Sequence, residues 1–194
     1  MNKGVIRRRG FGKGKKKEAY LVFNGSTDTI ISDLVHNSRM SYEFKIRYNR
    51  WGGYSLRCSY FRGLNAESST NISATFDPNC NVTVEELSLK TPYILSYQCQ
   101  SNGNWKALLD DKQLTSGNIS SYSRGTGMQV GYYDDSGSFS KLKAEVAYLK
   151  FWNASGTLTH DLVPKEVDGV CGFYNNVNGD FYPARKGSFT INYY

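Results

Sequence analysis

The acidic residues that could do chemistry in this chain come in adjacent pairs: Glu85-Glu86, Asp110-Asp111 and Asp134-Asp135. Hydrolysis of a glycosidic bond needs two carboxylates facing each other across a cleft. Neighbours on a strand point to opposite faces, so none of these pairs meets that need. His36 and His160 stand in loop-like surroundings, outside any HExxH or HxH pattern, and read as surface or cap positions. There is no nucleophile elbow and no dinucleotide-binding glycine loop. Cys58, Cys80, Cys99 and Cys171 form no CxxC pair, so a zinc site has no support. Isolated buried thiols account for them, with one or two disulfides as the alternative. The chain is therefore expected to bind, not to catalyse.

Two binding chemistries are legible. A sugar site needs an aromatic platform with amide or carboxylate hydrogen-bonding groups beside it. Trp51, Tyr54, Trp105, Tyr132 and Tyr133 are the candidate rings, and each would serve a core equally well. For Ca2+, the best local cluster is Asp134 and Asp135 with Ser136, which a hairpin turn explains as readily. No other metal or cofactor is expected.

Charge divides the chain in two. Residues 1–18 carry eight bases, among them Arg7, Arg8, Arg9, Lys13, Lys15, Lys16 and Lys17, against the single acid Glu18. This balance already equals the net charge of +7, so residues 19–194 are neutral overall. A partner selected by charge should meet this arm. It could dock on an acidic protein surface, contact nucleic-acid phosphates, or only aid solubility. The N-terminus lacks the apolar stretch of a secretory leader, and no run of 18 apolar residues suggests a membrane-spanning helix.

Beyond the arm the pattern is that of strands. Met40, Tyr42, Phe44, Ile46 and Tyr48 alternate with Ser41, Glu43, Lys45 and Arg47, a period of two. Further strands are expected over 20–23, 54–61, 72–76, 82–87, 93–99, 105–109, 128–133, 142–152, 162–163, 170–174, 181–182 and 189–193. Asn102-Gly103, Asp168-Gly169 and Asn178-Gly179 supply turns. Residues 30–34 read as one turn of helix, and Pro164 as a strand terminator. In Leu142 to Trp152, Leu142, Ala144, Val146, Tyr148 and Lys150 share one parity, and Leu149 and Phe151 the other, so both faces are expected to be partly covered.

The C-terminal third carries a more specific pattern. Lys141 to Trp152 ends in an aromatic pair and is followed by Asn153 to Gly156 and by Asp161-Leu162-Val163-Pro164. Then come Asp168-Gly169-Val170-Cys171-Gly172-Phe173-Tyr174-Asn175, Gly179-Asp180-Phe181-Tyr182 and Gly187-Ser188-Phe189. This resembles the closing segment of concanavalin A-like lectin/glucanase domains of the LamG type, especially those of bacteriophage structural proteins and gut-bacterial surface proteins. Tyr20 to Gly25 is similar to the opening strand of that family. Asn175 stands where the family usually has Asp, and Lys165 where Cys or Ala is common. The resemblance implies an all-β jelly-roll sandwich of two antiparallel sheets over residues 19–194. The glucanases of that group carry Glu-x-Asp-x-Glu, which is missing here. The implied function is a virion structural or accessory protein, held by residues 1–18 to other virion proteins, with the sandwich exposed and able to hold surface glycans. A non-viral carbohydrate-binding module and a nucleic-acid-associated packaging protein are the alternatives.

Overall fold

The computed structural model describes residues 17–53, 55–57, 62–75, 80–119, 124–131 and 142–194, without the side chains of residues 62, 74, 75, 80 and 124. Among the described residues there are sixteen strands and no helix. In chain order these are β1 (Ala19–Asn24), β2 (Thr29–Asn37), β3 (Ser41–Tyr48), β4 (Leu56–Arg57), β5 (Arg62–Ser68), β6 (Asn71–Thr75), β7 (Cys80–Thr83) and β8 (Pro92–Cys99). They continue as β9 (Asn104–Leu109), β10 (Lys112–Asn118), β11 (Arg124–Val130), β12 (Lys143–Trp152), β13 (Leu158–Val167), β14 (Val170–Asn175), β15 (Phe181–Pro183) and β16 (Ile191–Tyr193).

One antiparallel sheet has ten strands, in the order β10-β9-β8-β3-β12-β13-β14-β15. Strand β1 pairs with the first half of β12, and β16 pairs with β1. The second sheet runs β2-β11-β4-β5-β6-β7. The two sheets enclose one core, the all-β sandwich that the alternating pattern predicts. Strand β3 shows why. Tyr42, Phe44, Ile46 and Tyr48 are buried, while Ser41, Glu43, Lys45 and Arg47 face outward. Each such large side chain contributes about 1.5–3 kcal/mol on burial.

Two tyrosine hydroxyls stitch the sheets together. The register of β5 against β6 shifts between Arg62 and Asn65, and again between Ala66 and Ser68, which interrupts the ladder. The Tyr42 hydroxyl accepts from the Leu64 N–H at 2.8 Å, and the Tyr48 hydroxyl accepts from the Ala66 N–H at 3.1 Å. Tyr48 in turn donates to Asn65 Oδ1 at 3.3 Å. Burial pushes the Tyr48 phenol up to about 12. Tyr48→Phe leaves buried polar groups unsatisfied, so it should cost about 1–3 kcal/mol. A lower urea midpoint with an unchanged slope would show this.

The structure corrects several expectations. Residues 30–34 belong to β2, not to a helical turn. Between its paired positions Ile31 and Val35, β2 carries two more residues than β11 does between Met128 and Thr126. That bulge breaks the period of two. The parity change in β12 has the same cause: Val146 pairs with Ile46 and Tyr148 with Lys45, which leaves Ala147 as the extra residue. Pro164 lies inside β13. Here β13 has left β12, with which it pairs only over Leu158–Leu162, so one edge asks for no N–H donor. Strand β10 escaped the sequence reading because it is an edge strand with little burial. Its hairpin to β9 turns through Asp110 and Asp111, both at positive φ (46° and 67°). His36 and His160 are buried strand residues, not surface or cap positions. Cys99 and Cys171 are free and half-buried, and burial raises both thiol pKa values.

Candidate functional site

The outer face of the ten-stranded sheet carries the site. Because β3, β8, β9, β10 and β12 lie in register, their outward side chains form straight rows across the strands. One row runs Lys150, Glu43, Ser96, Leu108 and Gln113. Beside it, Trp152 lies opposite Ser41, and Gln98 opposite Lys106 and then Ser116. A groove of about 580 Å³ follows these rows. Glu43, Ser96, Gln98, Lys106, Gln113, Ser116 and Trp152 line it, with Gln100, Asn104 and Gly156 at its margins.

Local sequence fixes the walls. At one end the loop after β12 is held by Asn153, whose Oδ1 accepts from the Ser155 N–H at 3.1 Å, the Ser155 hydroxyl at 2.7 Å and the Thr157 N–H at 2.9 Å. The β8–β9 hairpin forms the margin at Gln100 and Asn104. Its Gly103 sits at φ +88°, and a Cβ there would stand 2.5 Å from the Ile119 carbonyl oxygen, so glycine is required. Under the groove, Trp105 is 6% exposed and packs on Tyr97 with ring centroids 5.6 Å apart. Gly117 lets it lie close under β10, since a Cβ would meet the indole at 2.9 Å.

Polar groups in the groove differ in their free capacity. Glu43 accepts from the Tyr148 hydroxyl at 2.9 Å and the Ser96 hydroxyl at 3.1 Å, one on each oxygen. Burial, with the neighbouring Glu43 carboxylate, raises the Tyr148 phenol pKa. The amides of Gln98 and Gln100 are exposed. Lys106 is half-buried and has no hydrogen-bond or ion-pair partner among the described residues. Trp152 is half-exposed and on the outward parity of its strand. The arrangement is an indole beside free amides and one ammonium, which suits a flat, hydroxylated ligand.

The rings proposed from sequence are distributed otherwise. Trp105 borders the groove from the core side. Trp51 packs on Tyr48 with centroids 5.7 Å apart and does not line the groove. Tyr54, Tyr132 and Tyr133 lie outside the described residues, as do the Ca2+ candidates Asp134 and Asp135. Among the described residues no cluster of three or more His, Cys, Asp or Glu could hold a metal ion. Of the basic arm, Arg7, Arg8, Arg9, Lys13, Lys15 and Lys16 lie outside the described residues, and Lys17 is exposed. The next residue, Glu18, pairs with Lys45 and exchanges backbone hydrogen bonds with Tyr194. Sequence reasoning missed Trp152, Gln98, Lys106 and Gln113. The signal for Trp152 was present in the burial parity of Leu149 and Phe151, which sends Lys150 and Trp152 outward.

A second polar cluster closes one end of the sandwich. The Asp33 carboxylate accepts from the Tyr182 hydroxyl at 2.6 Å and lies 3.2 Å from His160 Nε2. Burial works to raise the Asp33 pKa, but the Tyr182 bond and the nearby His160 hold it below the usual carboxylate value. Asp33 therefore stabilises the fold above the ordinary carboxylate pKa, and the contribution disappears as pH falls through the lowered value. Urea midpoints measured from pH 6 to pH 3 should fall further for the natural chain than for Asp33→Asn. The cluster links β2 to β13 and β15, and is a structural clasp.

No family model matches the chain, and no curated protein shows significant sequence similarity to it. Solved structures do share its fold. A candidate carbohydrate-binding protein from Bacteroides ovatus superposes with a TM-score of 0.67 at 10% identity over 92% of this chain. The chain spans 60% of that protein's length. Domain 4 of AbnA, an extracellular GH43 arabinanase from Geobacillus stearothermophilus, solved with arabinotriose, superposes with a TM-score of 0.54 at 14% identity over 72% of each chain. At these identities the likeness is one of fold: the chain is a β-sandwich of the architecture found in carbohydrate-binding proteins.

Proposed function

We propose that this chain is a carbohydrate-binding module and that the groove across the ten-stranded sheet is its binding site. The observation that carries this reading is Trp152, a half-exposed indole at one end of an open groove that also holds the amides of Gln98 and Gln113. The carbohydrate-binding neighbours of the fold support it. The site acts without turnover: Glu43 is the sole carboxylate lining the groove among the described residues, and both its oxygens accept hydrogen bonds. Acid–base hydrolysis uses two. Affinity electrophoresis through gels containing soluble polysaccharides tests the reading. Retardation by at least one polysaccharide, with no reducing ends released, is expected; unretarded migration in all of them would contradict it.

The charge held in residues 1–18 supports a second role, attachment to an acidic surface such as that of a viral particle, in the manner of LamG-like virion proteins. Removing residues 1–18 should abolish attachment and leave glycan retardation unchanged. Attachment that persists would contradict this role. A steep salt dependence, equal for unrelated nucleic acids, would assign the arm to phosphates instead.

A further inference from the structure

We propose that the groove takes an internal stretch of a linear acidic polysaccharide, laid across the strands with an anionic substituent over Lys106. This rests on the reading of the groove as a glycan site and names the class of glycan.

The span comes from the registered rows. The row from Lys150 to Gln113 crosses five strands, which at the usual strand spacing is about 19 Å. That length exceeds a single sugar ring several-fold. The polar groups are spread along it instead of converging on one point, with Trp152 at one end and Gln113 on the edge strand β10 at the other. A site for a chain terminus would concentrate its hydrogen bonds at one blind end.

The charge preference comes from which ionic group has capacity left. Two charged side chains line the groove, Glu43 and Lys106. Each Glu43 oxygen already accepts a hydroxyl proton, from Tyr148 or Ser96. Lys106 holds three ammonium donors without a partner among the described residues. Glu43 opposes it weakly. Their backbones are two strands and two residues apart, roughly 12 Å from the strand spacing and rise, and both Glu43 oxygens are already engaged. Of the other carboxylates on this face, Glu145 is paired with Arg47, Glu18 with Lys45, and Asp161 accepts from Asn176, while Asp111 stands in the β9–β10 turn, five residues along from Lys106. A ligand carboxylate or sulfate thus meets an unneutralised cation in the middle of the groove.

The test is calorimetric titration of the full chain with a panel of tetrasaccharides, namely uronic-acid oligomers (galacturonate, guluronate, mannuronate), a sulfated glucuronate-containing tetrasaccharide, and neutral glucose, xylose and arabinose oligomers. The matching monosaccharides are included. The expected result is that an acidic tetrasaccharide binds about tenfold or more tighter than every neutral one and than its own monosaccharide. The preference should shrink as salt rises. Lys106→Gln should remove it while leaving thermal unfolding unchanged, and Lys106→Arg should keep it. Neutral tetrasaccharides binding as tightly as acidic ones, a monosaccharide matching its tetrasaccharide, or a preference that survives Lys106→Gln would each overturn the inference while leaving the glycan site intact. Silence across the whole panel would remove the glycan site as well.

Discussion

Trp152→Ala should weaken glycan binding by the folded protein about 30-fold or more. The indole is the half-exposed aromatic ring lining the groove among the described residues, and removing an aromatic anchor costs about 2 kcal/mol or more, roughly a 30-fold loss in affinity. The fold should tolerate the change, because Trp152 is half-exposed on the outward side of β12 while Phe151 fills the core. The contrasting variant is Trp51→Ala. That ring packs on Tyr48 outside the groove, so its loss should lower stability and spare affinity. Isothermal titration of both variants, with thermal melts alongside, separates the two effects. Equal binding by Trp152→Ala and the natural chain would mean that the ring is not the platform.

Arg185→Ala should be the most damaging single change outside the core. Asp28 is fully buried, and its carboxylate is held by the Arg185 guanidinium, with Nε 3.1 Å from Oδ2, and by Gln129 Nε2 at 2.5 Å. The backbone joins the same junction, as the Arg185 N–H donates to the Asp28 carbonyl at 2.8 Å. Removing the cation leaves a carboxylate without its counter-charge in the interior, which costs about 3–5 kcal/mol. Arg185 is 42% exposed, so the lower end applies. For a chain of this size that corresponds to a fall in Tm on the order of 10 °C. Adding Asp28→Asn to Arg185→Ala removes the stranded charge and should recover part of the loss. A fall of only one or two degrees in the single variant would show that Gln129 and solvent suffice.

The sequence disclosed the parts of this protein where chemistry and periodicity agree. Strand β3 is legible because five apolar residues fall on alternate positions without interruption. The hairpins at Asn102-Gly103 and Asp168-Gly169 are legible because those pairs fit positive φ at low cost. Legibility ends at bulges. The extra residues in β2 made a strand look like a helical turn, and Ala147 in β12 exchanged the two faces halfway along. Strand parity decides which aromatic residues become a site. Trp105 is as prominent in the sequence as Trp152, yet it falls opposite Cys99 on the inward face and is covered there. Gln98, Lys106 and Gln113 are unremarkable polar residues one at a time. They become a groove only through the registers of β8 with β9 and of β9 with β10, which no local signal encodes.

The most direct measurement is an NMR titration of isotopically labelled protein with the polysaccharide fragment that binds best. The indole N–H of Trp152 and the side-chain amides of Gln98 and Gln113 should shift together and saturate with one dissociation constant. The indole of Trp51 should stay in place. Shifts confined to the six-stranded sheet or to Trp51, with the Trp152 indole unmoved at saturation, would place the ligand elsewhere and refute the groove as the binding site.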